Sequence, residues 1–444
     1  MTTTGVQTVA AGKRWQNWGR SETIRPQYVS RPTSIEEVQD AIRFARELGL
    51  PVKAVGAGHS FTSIAAAPGL QLDLAGLDGL LDVDRATGRA RIAAGTNLYQ
   101  LPALLAPHGL AMENLGDIDR QTIAGATSTG THGTGSGFRG LAAQLVALTL
   151  VTADGSVLTI NETENAELLP AARLGLGALG VIVDLTVQCV PAFLLHAVEK
   201  PEPLASVVDD FEARAAAVDH FEFYWFPHTE TVLTKTNTRL PADAARQPLR
   251  AARRWVDDSL LANGVFAATC AVGRAAPFAV PAINRVATRL SGNREFTDLS
   301  TSVFTTQRAV RFREMEYALP LAAVPQAVRD IRQLISSRGW KISFPIEVRA
   351  AASDNLWMST AYGRATGYVA VHRYWREDYR EYFAAVERIM RQFGGRPHWG
   401  KIHTLNSMTL AELYPHYRDF VVLRDRLDPD RVFANPHLTR ILGP

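Results

Sequence analysis

The chain has 444 residues, enough for two or three domains, and its 46% hydrophobic and 20% charged residues are an ordinary globular balance. A formal net charge of +3 over that length makes no strong field, which argues against nucleic acid or an anionic membrane surface as partner. Cys189 and Cys270 are too few for a disulfide framework or a cysteine metal site, and no apolar run is long enough to span a bilayer.

In chain order, the opening run MTTTGVQTVAAGKRW has no apolar core of signal-peptide length, so a cytoplasmic protein is expected. SIEEVQDAIRFARELG (34–49) reads as an amphipathic helix, with Ser34 and Glu37 at capping-box spacing and Gly49 as its stop. PVKAVG (51–56) is a short strand ended by a glycine turn. LQLDLAGL and RARIAAG alternate as half-buried strands do, and LYQLPALLAPHG (98–109) is a second helix with a glycine stop. LVALTLVTADGSVLTI (145–160) is a hairpin around Asp154–Gly155, and GVIVDLTVQCVP (180–191) is a β-branched strand closed by Pro191. After Pro191 the texture changes to longer helices and strands such as HFEFYWFP (220–227). The expectation is an α+β protein with a first domain over 1–192, a second over 193–395, and a C-terminal segment, 396–444, that folds back on one of them.

The glycine motifs narrow the chemistry. LGLGALG holds G-x-G-x-x-G at Gly175, Gly177 and Gly180, but a helical stretch precedes it and a strand follows, the reverse of a dinucleotide fingerprint. No G-x-x-x-x-G-K-[ST] loop is present. What remains is VGAGHS (55–60) after its strand, and TIAGATSTGTHGTGSG (122–137) about 70 residues on. Glycine and threonine at that density suit backbone lying against a planar ligand and its pyrophosphate.

A strand ending in G-x-G-H-S, a G-A-T-S-T-G-T-H-G-T-G run and an L-G-V-I strand resemble the flavin domain of the vanillyl-alcohol-oxidase-type flavoproteins. Within them the chain resembles the aldonolactone oxidoreductases, which include L-gulono-1,4-lactone oxidases and dehydrogenases, D-arabinono-1,4-lactone oxidase and the bacterial alditol oxidases. WQNWGR, EMEYALP (314–320), FPIEVR (344–349), RPHWGK (396–401) and LDPDRVFAN (427–435) extend the resemblance over nearly the whole chain. It implies a two-domain FAD-linked oxidase fold, with a PCMH-type FAD-binding domain and a substrate or cap domain built on an antiparallel sheet. It places FAD against Val55, Gly56, Ala57, Gly58, His59 and Ser60, against Gly116 and Asp117, against Gly125, Thr129, Gly130 and His132, and against Gly180, Val181 and Ile182. It also implies a covalent bond from His59 to the 8α-methyl of FAD, for which a neutral imidazole is a competent nucleophile near pH ~7.

FPIEVR sets Glu347 and Arg349 two apart on a strand, so both leave one face, among apolar or small neighbours that would solvate charge poorly. By resemblance, Glu347 orients or deprotonates the reacting hydroxyl, while Arg349 holds a substrate oxygen and steadies charge on the reduced ring. YVAVHRY puts Tyr368, Ala370 and His372 on one face, with His372 the expected partner of Glu347. Lys401, the one lysine of the last hundred residues, is expected near the flavin's pyrimidine end or the substrate. His398 and His403, five apart, show no ligand spacing with a carboxylate, so no metal is expected. The implied reaction is oxidation of a sugar-acid lactone at its C2 hydroxyl to L-ascorbate or an analogue, with a linear polyol as the alternative substrate. Small side chains among Ala124–Thr131 would decide whether O2, rather than a cytochrome or quinone, is the electron acceptor.

Overall fold

A computed structural model of the protein describes residues 9–254, 264–290, 293–306 and 308–444; the first eight residues of the opening run lie outside these. The expected first helix forms over Ile35–Glu47, and the Ser34 side chain accepts from the Glu37 N–H at its start. Glu37 returns the bond one residue earlier than a capping box requires, to the Thr33 N–H at 2.6 Å. This helix packs on a four-stranded sheet in the order Val9–Ala11, Tyr28–Ser30, Leu70–Asp73, Val52–Val55, whose last three strands are parallel. A five-stranded antiparallel sheet follows, in the order Val157–Ile160, Leu145–Val151, Val181–Gln188, Arg89–Ala93, Leu80–Asp84. The expected hairpin is its edge. The glycine-rich run 122–137 is not extended throughout, because Thr122 caps a short helix over Ile123–Ser128.

From Phe193 onward the chain builds an eight-stranded antiparallel sheet in the order Arg294–Leu299, Phe193–Pro203, Thr231–Pro241, His220–Trp225, Ile346–Ala351, Thr366–Tyr374, Phe312–Pro320, Arg396–Pro397. Directly opposed residues of antiparallel strands share a face. The register sets Glu222 opposite Arg349, Tyr224 opposite Glu347, Ala370 opposite both Glu347 and Glu316, and His372 opposite Glu314. All of these side chains therefore project from one face. The alternate residues Phe221, Phe223, Trp225, Ile346, Val348, Val369, Val371, Met315 and Tyr317 form the other face and are buried. That apolar face joins the core with Val328, Ile331 and Ile335 of the helix Val324–Arg338 and Val386 and Met390 of the helix Arg380–Gln392. One side of the sheet is thus hydrophobic core, and the other is a titratable surface buried against the first domain.

The C-terminal segment closes the assembly. Arg396–Pro397 is the sheet's edge strand, after which the chain returns to the first domain. There Val52 N–H donates to the Val432 carbonyl at 2.6 Å. The Asn435 amide donates to the carbonyls of Ser63, Ile64 and Ala66 at 2.9–3.1 Å.

Candidate active site

A cleft of about 870 Å³, its open mouth included, runs through the first domain. The expected Gly56, Ala57, Gly58, His59, Ser60, Gly125, Thr129, Gly180 and Ile182 line it. Two glycines are required by geometry. Gly58 has φ +69, and a Cβ on Gly56 would stand 2.2 Å from Thr122 Oγ1. Lys53, Thr122, Leu176 and Gly177 also line the cleft; Thr122 opens the second glycine run, Leu176 and Gly177 belong to LGLGALG, and Lys53 alone of the four escaped the sequence reading. Lys53 ties its walls together, donating to the Gly177 carbonyl at 2.8 Å and the Phe433 carbonyl at 3.1 Å. Burial lowers its pKa to about 7 against the opposing pull of Asp428. The LGLGALG turn therefore serves the cleft as a wall between a helix and a strand, not as a helix-opening phosphate loop.

His59, half-buried, is part of the cleft's wall. Its ring stacks on Trp18 with centroids 5.6 Å apart. Burial, then Lys401 and Arg120, lower its pKa to about 4, so the imidazole is neutral around pH ~7 with its nitrogen lone pair available.

Six of the expected cofactor residues do not line the cleft. Val55 is the buried end of its strand, Val181 points into the core, and a Cβ on Gly130 would pack on Leu174. A Cβ on Gly116 would meet the His132 carbonyl, and Asp117 and His132 turn their side chains toward the second domain.

On the polar sheet face, Arg349 is surrounded by carboxylates. Its Nη2 bonds Glu347 Oε1 and lies 3.6 Å from Asp117 Oδ1, while Nε donates to Glu222 Oε2 at 2.9 Å. The Tyr224 hydroxyl stands 3.1 Å from Glu347 Oε1 and 3.2 Å from Glu222 Oε1. Burial raises every carboxylate here, but the cations divide them. Arg308 and Arg349 bring Asp117 well below the usual range, and Arg349 and Lys235 lower Glu222. Glu347 alone of the three ends raised, because Asp117 and Glu222 add to the effect of burial against Arg349. It is the carboxylate of this cluster best suited to take a proton.

His372 joins a different acid from the one expected. Its Nδ1–H faces the Pro345 carbonyl at 2.9 Å and its Nε2 lies 3.5 Å from Glu314 Oε1, while Lys401 bonds the other oxygen, Oε2, of the same carboxylate. Register explains this, since His372 is opposite Glu314 while Glu347 is opposite Ala370. Burial would raise Glu314, yet Lys401 and His372 hold it down to about 2. Glu314, Glu316 and Glu222 carry the same signal that singled out Glu347, a charge inside an apolar alternating strand, and that signal identifies them.

The histidines do meet a carboxylate. His132, Glu316 and His398 bring three ligand atoms within 4.8 Å of one another, all buried. His132 has a metal ligand's arrangement, with Nδ1 on the Gly133 carbonyl at 2.8 Å and Nε2 3.3 Å from Glu316. His398 does not. Its Nδ1 accepts the Gly400 N–H at 3.1 Å, so in the neutral ring Nε2 carries the proton and has no lone pair for a cation. The trio is a hydrogen-bonded polar cluster beneath Tyr368, whose ring stacks on His132 at 3.5 Å.

Residues 185–441 match the D-arabinono-1,4-lactone oxidase family, and residues 26–161 match the FAD binding domain family. The chain is 44% identical over 430 residues to L-gulono-1,4-lactone dehydrogenase of Mycobacterium tuberculosis, covering 97% of this chain and 99% of the relative. It is 32% identical to L-gulonolactone oxidase of Bos taurus, covering 97% and 98%, and 33% identical to alditol oxidase of a Streptomyces species, covering 96% and 98%. In fold it is similar to cholesterol oxidase from Brevibacterium sterolicum, with a TM-score of 0.84 at 15% identity over 99% of this chain and 98% of the other. Among the described residues no helix is long and apolar enough to cross a membrane. A family match over more than half the chain, and a cleft whose glycine-bearing walls and neutral histidine suit FAD, lead to one conclusion: the chain belongs to the D-arabinono-1,4-lactone oxidase family and is an FAD-dependent aldonolactone oxidoreductase.

Proposed function

We propose that the chain oxidises the C2 hydroxyl of an aldono-1,4-lactone such as L-gulono-1,4-lactone, giving L-ascorbate or an analogue, with Glu347 as the base. FAD, when bound, supplies the hydride acceptor. Glu347 receives the hydroxyl proton, and the observation that carries the assignment is its bond to Arg349, a guanidinium that it shares with Glu222 and Asp117, whose charges with burial raise its proton affinity. Tyr224 and Arg349 both bond Oε1 of that carboxylate and fix its direction. Lys401, paired with Glu314, keeps a buried positive charge on the same face. Gly56, Gly58, Thr122 and Gly177 would hold the cofactor in the cleft, and His59, neutral and in its wall, would bind it covalently.

The electron acceptor is O2 or another acceptor such as a cytochrome or quinone, and the likeness to a relative named a dehydrogenase supports an acceptor other than O2. Anaerobic mixing with a panel of lactones and linear polyols, followed by the flavin absorbance, tests the substrate. Bleaching is expected with lactones, and bleaching by polyols alone would make the chain an alditol oxidase. Mixing the reduced enzyme with air tests the acceptor, and reoxidation slower than turnover with an artificial acceptor is expected.

A further inference from the structure

Arg308 lies just beyond the helix Ser300–Phe304 in the second domain. It donates from Nε to Asp117 Oδ2 at 2.9 Å and bonds the same oxygen through Nη2. Thr306 N–H donates to the Asp117 carbonyl at 2.9 Å, and Lys235 donates to the Val303 carbonyl at 3.0 Å. Both anchors of this stretch are tied to the carboxylates around Arg349. Asp117 is itself one of them, and Lys235 lies 3.7 Å from another, Glu222. Arg308 is also the exposed member of the network, with 34% of its side chain accessible against 9% for Arg349.

Asp117 stands between two guanidiniums and Arg349 among three carboxylates, so they form a chain, Arg308–Asp117–Arg349–Glu347, with alternating charge. Whatever Arg308 takes of the Asp117 charge leaves Arg349 freer to bind Glu347. We propose that the Asp117–Arg308 pair, which joins the two domains, is a positioning device that sets the proton affinity of Glu347 through the shared guanidinium of Arg349. This rests on the reading of Glu347 as the base.

The charged and titratable groups facing Glu347 come from several elements, while the adjoining strand Thr366–Tyr374 sets only Ala370 opposite it. They are Arg349 on its own strand, Glu222 and Tyr224 on the adjacent strand, Asp117 from the first domain, Arg308 from the second, and Lys401 from the C-terminal segment. Within this set the two halves of the pair act with opposite sign. Removing the Asp117 charge lowers the Glu347 pKa, and removing the Arg308 charge raises it.

The test is anaerobic stopped-flow reduction of the bound flavin by L-gulono-1,4-lactone as a function of pH. A base must be ionised, so the wild-type rate falls on the acid side. Asp117→Asn should move that limb to lower pH and Arg308→Gln to higher pH, each by roughly half a unit to one unit. The double variant should return toward wild type, and Arg308→Lys, which keeps the charge, should stay near it. If Asp117→Asn fails to accumulate as a flavoprotein, the contrast between Arg308→Gln and Arg308→Lys decides alone. Limbs that do not move, or that move in the same direction, overturn the inference while Glu347→Gln still abolishes the limb. A limb that survives Glu347→Gln overturns the reading of Glu347 itself.

Discussion

Tyr224 and Glu347 meet across two strands, with the Tyr224 hydroxyl 3.1 Å from Glu347 Oε1 because the antiparallel register sets the two residues directly opposite. The hydroxyl stays protonated, since burial and then the charges of Glu222 and Glu347 raise its pKa well above the usual value. Glu347 therefore has one neutral donor and one cation fixing its direction.

Glu347→Gln keeps the size and removes the charge. Anaerobic flavin reduction by a lactone should slow by roughly 10²- to 10⁴-fold, with the resting flavin spectrum unchanged. Arg349→Lys should also be damaging, because an ammonium cannot reach Glu347, Glu222 and Asp117 as a planar guanidinium does. Wild-type rates in both variants would place the base elsewhere, and the Glu314–His372 pair would be the first alternative.

The covalent bond at His59 is checked by acid precipitation. The yellow colour should remain with the wild-type protein, and His59→Ala should release it while still binding FAD, since the rest of the cleft is intact. Wild-type protein that loses all its flavin in acid would end that assignment.

The Asn435 amide, with two N–H donors, reaches three carbonyls of the segment 63–66, and its Oδ1 caps the helix Pro436–Leu442 by accepting from Leu438 N–H at 2.8 Å. Asn435→Ala should destabilise the protein by ~2 kcal/mol, seen as a lower Tm. Ile64 and Ala65 also line the cleft, so FAD should be lost more readily on dilution.

His437 links stability to pH. Burial, then Arg440 and Lys53, lower its pKa from 6.5 to about 3, so between those values the unfolded chain binds a proton that the folded chain refuses. Stability is therefore lost as pH falls below about 6.5, by up to ~1.4 kcal/mol for each unit. His437→Leu should show a shallower decline in urea midpoint between about pH 6.5 and 4 than wild type. Parallel declines in both proteins would remove His437 as a source of acid sensitivity.

The local elements were legible because their causes are local. Ser34 and Glu37 announce a helix start, Asp154–Gly155 a hairpin, and the period of two in FPIEVR sets Glu347 and Arg349 on one face. The same period in HFEFYW and EMEYALP already separated Glu222, Glu314 and Glu316 from their apolar neighbours. Which strand lies beside which, and in what register, was not legible, because pairing between residues far apart in the chain leaves no trace in either segment alone. Only the assembled sheet put Tyr224 opposite Glu347 and gave His372 to Glu314. Only the docking of the two domains turned Asp117 from the cleft toward Arg349 and brought Arg308, an arginine in an unpatterned stretch, within hydrogen-bond distance of it. The sequence by itself determined which residues could carry charge into a buried face. The tertiary structure decided which charges share a partner, and hence which carboxylate has its proton affinity raised, because that depends on distances in a low-dielectric interior that chain order does not contain.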